Sequence, residues 1–408
     1  MALRRIVGNL DCEVSFARVA ARRRWHGETT GLRGEARFGL PVGVERRISA
    51  YATLLRAFAR EGDRLWTPLA VDVARVPEVA GLECPVLESG EVGELPGCSE
   101  TLAWGETEEV ESLTTVRPPA KRAPPSSGAL LSELVWAVDR APAAAAREVN
   151  HRGVSLDIAR ALDLSLEGAK LLRSVGELEV HLGQGGARAS PTESWVLKAP
   201  FSAAGRSRLL QRGRELAAGA RRRIERLLEL HGELLFEPWM TRTEDFGCCV
   251  ILDDRQAGGW RDLGVHGLEV DPGGGFRGVV LPARGGASDW LTSRERELLD
   301  RVVTAVAGHL RGVGYCGPVG IDCWRYRDAT GALKFHPLGE INARMSFGLI
   351  GRALLEQLTR AGTLGAEDTV RLRLGKKEEL RRPVPVGTTV LPLLLPSAVD
   401  SGAAWLEF

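Results

Sequence analysis

Polar and apolar positions alternate along residues 339–345, Gly-Glu-Ile-Asn-Ala-Arg-Met, and this alternation predicts an extended strand. Because neighbouring side chains on a strand point to opposite faces, Glu340, Asn342 and Arg344 are predicted to share one face. That face then carries a carboxylate, an amide oxygen and a guanidinium, in sequence order. The segment lies between apolar runs, which favours a strand inside a sheet over a free, solvated edge.

A second extended segment precedes the first and ends in a carboxylate. Residues 317–321 are small or apolar, and they lead to Asp322, which would be costly to bury without a partner. Residues 326–333 have the composition of a turn, so the two segments are predicted to form a β-hairpin. For Asp322 to share a face with Glu340, the loop must shift the register by one residue, or a bulge must do so.

Helical and extended patterns alternate along the rest of the chain and predict an α/β (α+β) architecture. Apolar spacing predicts helices at residues 45–61, 130–139, 157–162, 216–230 and 295–310, and strands at 6–10, 195–201, 233–240, 248–252 and 278–282. Four prolines followed by Ser-Ser-Gly are typical of a linker. The predicted division is an N-terminal α/β domain (1–115), a Pro-rich linker (116–128) and two further subdomains (129–236 and 237–408).

Composition narrows the class of protein. The 408 residues carry a net charge of +1, so the chain offers no overall basic surface for nucleic acid. No stretch approaches the roughly 20 apolar residues of a membrane span, and the first residues lack the apolar run of a signal peptide. The seven cysteines include no Cys-x-x-Cys pair. This predicts reduced thiols in a cytoplasmic protein, and neither a disulfide framework nor a zinc site.

The residues of the predicted hairpin indicate metal chemistry. The oxygens of Asp322, Glu340 and Asn342 are ligands that Mg²⁺ takes, with water and nucleotide phosphates in its remaining positions. A guanidinium two residues further on, at Arg344, suits a phosphoryl or carboxylate group beside such a metal. The alternative interpretation of Glu-x-Asn-x-Arg alone is the solvated face of a half-covered sheet.

A lysine within an apolar strand is the second candidate. Lys198 follows Trp-Val-Leu and precedes a polar loop at residues 202–208, so its burial would be costly unless the ammonium meets an anion. Backbone N–H groups, hydroxyls and guanidinium groups of that loop are suited to phosphates. Taken alone, the pattern also fits a surface hairpin whose lysine reaches solvent.

Taken in order, four segments resemble the ATP-grasp superfamily. They are residues 196–206 (Val-Leu-Lys-Ala-Pro-Phe-Ser through Gly-Arg), 235–240 (Leu-Phe-Glu-Pro-Trp-Met), 314–322 (Gly-Tyr-Cys-Gly-Pro-Val-Gly-Ile-Asp) and 340–344 (Glu-Ile-Asn-Ala-Arg). The resemblance covers roughly residues 150–350. It implies an ATP-grasp fold, in which two α+β subdomains grip a nucleotide behind a small Rossmann-like N-terminal domain.

The resemblance also implies roles for individual residues. The implied nucleotide-binding residues are Lys198 at the phosphates, Ser202, Gly205 and Arg206 in the flap (202–208), Glu237, Pro238, Trp239 and Met240 at the adenine hinge, and Asp245 at the ribose. The implied metal ligands are Asp322, Glu340 and Asn342, and the implied catalytic residues are Arg344 and Lys198. Many members carry a second, earlier lysine on the nucleotide; here Arg152 and Lys170 are both candidates. Glu244 is an alternative to Asp245 at the ribose.

The activity that the resemblance implies is an ATP-dependent carboxylate–amine ligase. A carboxylate attacks the γ-phosphate to give an acyl-phosphate and ADP, and an amine then displaces phosphate to form an amide or peptide bond. The implied cofactors are ATP and Mg²⁺, with Mn²⁺ as an alternative. The implied partners are small, amino-acid-like carboxylate and amine substrates, without nucleic acid or membrane. A kinase that phosphorylates a hydroxyl, a non-catalytic nucleotide-binding protein and a homodimeric assembly stay open.

Overall fold

The computed structural model describes residues 4–24, 40–90, 98–113, 129–188, 190, 192–202, 208–271, 273–282, 290–365 and 369–408. Within these residues the chain forms three β-sheets with helices packed against them. The predicted linker at 116–128 and the predicted flap residues Gly205 and Arg206 lie outside the described residues.

Several helices begin at a polar residue whose side chain caps the first turn, among them those that follow Thr107, Ser174, Thr292 and Ser346. In chain order the helices of the described residues are α1 (Cys12–Arg24), α2 (Val42–Ala52), α3 (Glu108–Ser112), α4 (Leu131–Ala137), α5 (Ala143–Val149), α6 (Arg152–Ala161), α7 (Val175–Gly183), α8 (Ala218–His231), α9 (Ser293–Gly312), α10 (Phe347–Arg360) and α11 (Lys377–Leu380). Short 3₁₀ turns lie at Thr53–Phe58, Val73–Arg75 and Ala257–Gly259. Helix α9 shows the capping rule clearly, because the Thr292 hydroxyl accepts from the Glu295 N–H while the Glu295 carboxylate accepts from the Thr292 N–H.

A parallel sheet forms the N-terminal part of the molecule. Its strands are β1 (Arg4–Val7), β2 (Arg64–Thr67), β3 (Val86–Ser89) and β4 (Glu100–Ala103), in the spatial order β3-β2-β1-β4. All neighbouring strands pair in parallel. The chain adds β2 and β3 on one side of β1 and β4 on the other, so the carboxyl ends of β1 and β4 border a crevice at the topological switch point.

A small antiparallel sheet follows. Its strands are β5 (Lys170–Leu172), β6 (Ser194–Lys198), β7 (Arg208–Arg212) and β8 (Leu234–Pro238), in the order β5-β8-β6-β7. Its own apolar core joins Trp195 and Phe236 of the sheet to Leu178 of α7 and Ile224 of α8. This core holds β6 and β8, the strands that carry Lys198 and Glu237.

The largest sheet is antiparallel and has eight strands. They are β9 (Thr241–Leu252), β10 (Trp260–Val270), β11 (Phe276–Leu281), β12 (Gly317–Arg327), β13 (Leu333–Asn342), β14 (Val370–Lys376), β15 (Val390–Leu394) and β16 (Gly402–Glu407). Their spatial order is β13-β12-β9-β10-β11-β14-β16-β15. Helix α10 packs against β9 and β11. The hairpin β12–β13 therefore lies at one edge of the sheet, and β14–β16 lie toward the other. The flanking apolar runs predict a strand inside the sheet, but β13 is the outermost strand, and its apolar residues are covered by helices α6 and α9 instead of a further strand.

Buried hydrogen bonds join the last strands to the N-terminal domain. Arg75, which is 7 % exposed, donates to the Leu395 carbonyl at 2.8 Å and to the Gly402 carbonyl at 3.0 Å. Its guanidinium also donates to the Asp400 carboxylate at 3.0 Å. A buried guanidinium needs such a full set of acceptors, so this contact ties the two regions together.

The cysteines are free thiols, as the sequence predicts. Cys248 and Cys323 are buried in the large sheet, where burial raises the pKa of both thiols and keeps them neutral. In the part of the chain that the structure describes, no helix is long and apolar enough to cross a membrane.

Candidate nucleotide and metal site

The hairpin β12–β13 brings the predicted metal ligands onto one face. Asp322 lies directly opposite Glu340, and Gly320 lies directly opposite Asn342. Cross-strand neighbours in an antiparallel pair point to the same side, with their Cβ atoms about 4.5–5.5 Å apart. We call the face formed by Asp322, Glu340 and Asn342 the metal face.

A bulge sets this register. Between the Trp324–His336 pair and the Asp322–Glu340 pair, the single residue Cys323 faces the three residues 337–339. The sequence predicts a one-residue shift or a bulge; the structure has a bulge, and it shifts the register by two residues. A Cβ on Gly339 would lie 1.7 Å from Cζ3 of Trp324, so only glycine fits beneath that indole.

The metal face concentrates negative charge. Burial and, after it, the charge of the neighbouring Glu340 carboxylate raise the pKa of Asp322 to about 7, against the opposing effects of Arg344 and Asn342. In the described ranges no cluster of three or more His, Cys, Asp or Glu side chains is arranged for a metal ion. Asn342, the third metal ligand that the sequence predicts, supplies an amide oxygen on the same face.

The structure places the guanidinium of Arg152 at the metal face. It lies at the first position of α6 and is almost fully buried. Its guanidinium donates to Glu340 at 2.8 Å, to the Ser202 hydroxyl at 2.8 Å and to the Ser202 carbonyl at 2.7 Å. Lys170 is exposed on the outer strand β5. Of the two candidates for the second cation, the structure thus brings Arg152 to the site and leaves Lys170 outside it.

Lys198 lies on β6 beside the root of the flap, and its ammonium forms an ion pair with Glu237 of β8. Burial opposes ionisation of Glu237, but the charge and hydrogen bond of Lys198 outweigh it and lower the pKa of Glu237. The adjacent His336 stays neutral, because burial lowers its pKa to about 4. The side chain of Glu237, predicted at the adenine hinge, is thus committed to Lys198.

The predicted adenine hinge continues beyond Glu237 through Pro238, Trp239 and Met240. Both backbone groups of Trp239 are already engaged, because its N–H donates to the Ser194 carbonyl at 2.8 Å and its carbonyl accepts from the Ser190 hydroxyl at 2.7 Å. Met240 belongs to an apolar cluster with Leu156, Leu166, Leu235 and Trp324. This cluster packs between the two antiparallel sheets and buries the Met240 side chain.

The register decides between Asp245 and Glu244. Gly247 lies opposite Asp322, and Asp245 lies opposite Trp324, so Asp245 points to the same side as the metal face. Its carboxylate accepts from Arg242 at 2.8 Å. Glu244 points to the other side and is ion-paired with Arg325. Of the two residues, Asp245 therefore lies on the side of the metal face and Glu244 on the opposite side.

Arg344 follows the metal face and reaches the N-terminal domain. Its guanidinium donates to the Asn342 side-chain oxygen at 2.8 Å and pairs with the Glu13 carboxylate at 2.5 Å. The same guanidinium lies 5.4 Å from the centroid of the Trp104 ring. Sequence reasoning missed Glu13 and Trp104, since neither residue belongs to a motif.

The chain resembles known proteins in its structure and not in its sequence. No protein-family model matches the chain, and no curated protein sequence is similar to it. Biotin carboxylase from Campylobacter jejuni, solved as a β-γ-ATP complex, matches with a TM-score of 0.54 at 9 % identity, over 100 % of this chain and 87 % of that one.

Two synthetases give similar matches. An N5-carboxyaminoimidazole ribonucleotide synthetase solved with ADP has a TM-score of 0.51 at 11 % identity, over 99 % of this chain and 91 % of that one. The N5-carboxyaminoimidazole synthetase of Staphylococcus aureus has a TM-score of 0.51 at 9 % identity, over 100 % and 92 %. At such identities these matches establish the fold alone. The chain has the predicted ATP-grasp fold.

Proposed function

We propose that the chain is an ATP-dependent carboxylate–amine ligase that forms C–N bonds and releases ADP and phosphate. The observation that carries the proposal is the metal face, where Asp322 and Glu340 stand directly opposite each other beside Asn342. Arg152 and Arg344 flank this face with two positive charges. Together they form the charge pattern that a metal-bound triphosphate and an acyl-phosphate require.

The residues fit Mg²⁺ by their chemistry. Two carboxylates on one face repel each other, and a divalent cation relieves that repulsion while taking hard oxygen ligands. Asp322, Glu340 and Asn342 would hold it. When bound, the ion neutralises triphosphate charge. We propose ATP and Mg²⁺ as the cofactors, with Mn²⁺ as an alternative that the same oxygens accept.

The nucleotide would lie between the two antiparallel sheets. Arg152, Lys198 and Ser202 are arranged to meet phosphate oxygens, and we assign Gly205 and Arg206 of the flap to the same role. The hinge at 237–240 would border the base and Asp245 the ribose. Lys198 reaches a phosphate only by sharing or leaving its ion pair with Glu237. The names of two similar structures, which include ADP or ATP, support a nucleotide here.

In the proposed reaction a substrate carboxylate attacks the γ-phosphorus, and the bond to the β-phosphate oxygen breaks to release ADP. The amine then attacks the acyl carbon, the bond to the phosphate oxygen breaks, and the amine proton leaves with inorganic phosphate. Arg344 would stabilise the phosphoryl group during both steps. The acyl-phosphate must be kept from water, and we assign that role to the flap (202–208). No side-chain nucleophile is required.

Calorimetric titration with Mg·ADP tests the nucleotide site. Wild-type protein is expected to bind only when Mg²⁺ is present, and Glu340→Gln is expected to raise the Kd at least about tenfold, a loss near 1.4 kcal/mol. Glu297→Gln, on an exposed position of α9, is the matched control and should bind as the wild type does. Absence of Mg·ADP binding by the wild type would contradict the proposal.

Hydroxylamine trapping tests the reaction class. A panel of small carboxylic acids is incubated with the enzyme, Mg·ATP and hydroxylamine, and hydroxamate and ADP are measured. A ligase gives a hydroxamate, because hydroxylamine attacks the acyl-phosphate. A kinase gives ADP and a phosphate ester without a hydroxamate, and a non-catalytic protein gives neither, so either result would overturn the ligase assignment.

A further inference from the structure

The crevice of the parallel sheet opens toward Arg344. Helix α1 starts just beyond β1, and Trp104 follows β4 directly, so both lie at the topological switch point where open α/β sheets bind ligands. Glu13 occupies the first turn of α1. The Trp104 carbonyl accepts from the Met345 N–H at 2.8 Å, which fixes this crevice against the segment that leaves the metal face.

Two buried polar groups in this crevice are incompletely satisfied by the residues that the structure describes. Glu13 is 6 % exposed; one carboxylate oxygen pairs with Arg344, the weakly donating Cys12 thiol also bonds to the carboxyl group, and the second oxygen has no N–H or O–H donor among the described residues. Trp104 is 3 % exposed, and its indole N–H has no acceptor in the described part of the chain. An unsatisfied acceptor and an unsatisfied donor, both buried beside one guanidinium, are costly unless a polar ligand satisfies them.

Helix geometry directs Glu13 toward the reacting groups. Phe16 lies three residues after Glu13, so the two side chains share one face of α1. The Phe16 ring lies 6.1 Å from the ring of Phe201, the residue before the flap begins. The face of α1 that carries Glu13 is thus turned to the space between Phe201 and Arg344. In the proposed reaction the amine attacks the acyl-phosphate in this space.

We propose that Glu13 binds the ammonium group of the amine substrate, while the Trp104 indole donates to an oxygen of the same molecule. The substrate class that this donor and acceptor pair selects is an amino acid, with an ammonium group and a carboxylate a few bonds apart. The rings of Trp104 and Phe347, 5.2 Å apart, give the site an apolar wall. The assignment rests on the proposed function, and it concerns binding only.

The test is a calorimetric and thermal-shift screen of the twenty standard L-amino acids and their N-acetyl derivatives against the protein loaded with Mg·ADP. At least one free amino acid is expected to bind, and its N-acetyl derivative is expected to fail, because acetylation removes the ammonium charge. Glu13→Gln should weaken that binding at least tenfold, and Glu13→Asp should recover part of it. Trp104→Phe, which keeps the ring and loses the N–H, should weaken it several-fold.

Glu61→Gln, at an exposed position of the same domain, is the matched control and should bind the amino acid as the wild type does. Binding of no amino acid, or equal binding by Glu13→Gln and the wild type, would overturn the inference. Mg·ADP affinity is measured for every variant. Loss of nucleotide binding by the wild type itself would instead count against the proposed function, so the two failures are distinguishable.

Discussion

Arg152 shows how one side chain connects the parts of the site. Its guanidinium donates to the flap residue Ser202 and to Glu340 of the metal face at once. The planar guanidinium of arginine can donate to several separate acceptors at once, whereas a lysine has a single charged nitrogen that cannot span the same acceptors. The positive charge also offsets the repulsion between Glu340 and Asp322. We infer that Arg152 sets both the position of the flap root and the charge of the metal face.

Arg152→Lys tests this role at the residue scale. We expect the free energy of unfolding to fall by about 1–3 kcal/mol, because several buried acceptors lose their donor. Mg·ADP should bind about tenfold more weakly, measured by calorimetry. The control is Arg160→Lys on the same helix, whose guanidinium donates to the Ala169 carbonyl; it should change stability by about 0.5 kcal/mol. Equal behaviour of the two variants would refute the assignment.

At the scale of elements, the β12–β13 bulge decides which residues meet. Without it, the pairing that starts at Arg327 and Leu333 would continue unchanged and place Leu338 opposite Asp322. The bulge instead moves Glu340 into that place. Trp324 covers Gly339 and holds the bulge. The metal face thus depends on a packing contact between two residues, Gly339 and Trp324, that are not among its proposed metal ligands.

Gly339→Ala is the direct test of the bulge. The added Cβ cannot coexist with Trp324, so we expect a loss of about 1–3 kcal/mol in unfolding free energy and a weaker response to Mg²⁺. Gly320→Ala on the partner strand is the control, because its Cβ would meet Asn342 and Ser346 at ordinary distances of 3.5 and 3.6 Å. Urea unfolding with and without Mg²⁺ measures both variants. Similar stability for the two would show that the bulge tolerates a side chain.

The contact between α9 and the large sheet predicts a pH dependence. Two hydrogen bonds from Arg325, both 2.7 Å long, lower the pKa of Glu295 to about 2, against the opposing effect of burial. A depressed carboxylate pKa stabilises the fold above the unfolded value near 4.5, and this contribution disappears as the pH falls toward 2.

Glu295→Gln should therefore lower the unfolding free energy by about 2 kcal/mol at pH 7 and by less than half of that at pH 3. Urea unfolding at both values measures the difference, with Glu297→Gln as the control at an exposed position of the same helix. A difference that is independent of pH would show that Glu295 acts through packing and not through its charge.

At the scale of the whole molecule, the N-terminal domain contributes to the site and depends on the last strands. Glu13 and Trp104 surround Arg344 from one side, and Arg75 binds the segment that contains Asp400 from the other. The large sheet connects these two contacts through β14–β16. A change at Arg75 is therefore expected to reach Arg344 through the docking of the domain.

Arg75→Met tests this coupling. Removal of a buried guanidinium leaves the Asp400 carboxylate and two carbonyls without a donor, so we expect a loss of about 3–5 kcal/mol in unfolding free energy. Lys334→Met is the control, because Lys334 and Asp328 form a long, solvent-screened pair at 4.0 Å whose loss should leave the melting curve almost unchanged. Calorimetric melting measures both. An unchanged melting curve for Arg75→Met would contradict the proposed coupling.

The local sequence pattern was enough to predict part of the candidate site. The alternation through Glu340 and Asn342 predicts the metal face, because a period of two is a property of the strand itself. The sequence pattern could not decide whether Arg152 or Lys170 is the second cation of the site. That choice depends on where α6 starts relative to Glu340, which lies 188 residues later in the chain. The Glu13–Arg344 pair joins two domains and leaves no periodic signal. The size of the bulge depends on the packing of Trp324, which no spacing rule contains.

The position of Arg75 has a consequence for biosynthesis. Its acceptor at Leu395 lies 320 residues later in the chain, so the N-terminal domain cannot complete its contacts while the ribosome is still adding the intervening residues. At roughly 5–20 residues per second this interval lasts on the order of 15–65 s. During that time a buried guanidinium lacks its acceptors and the apolar surface around it stays uncovered. We therefore expect the nascent chain to depend on chaperones until the hairpin β15–β16 has emerged.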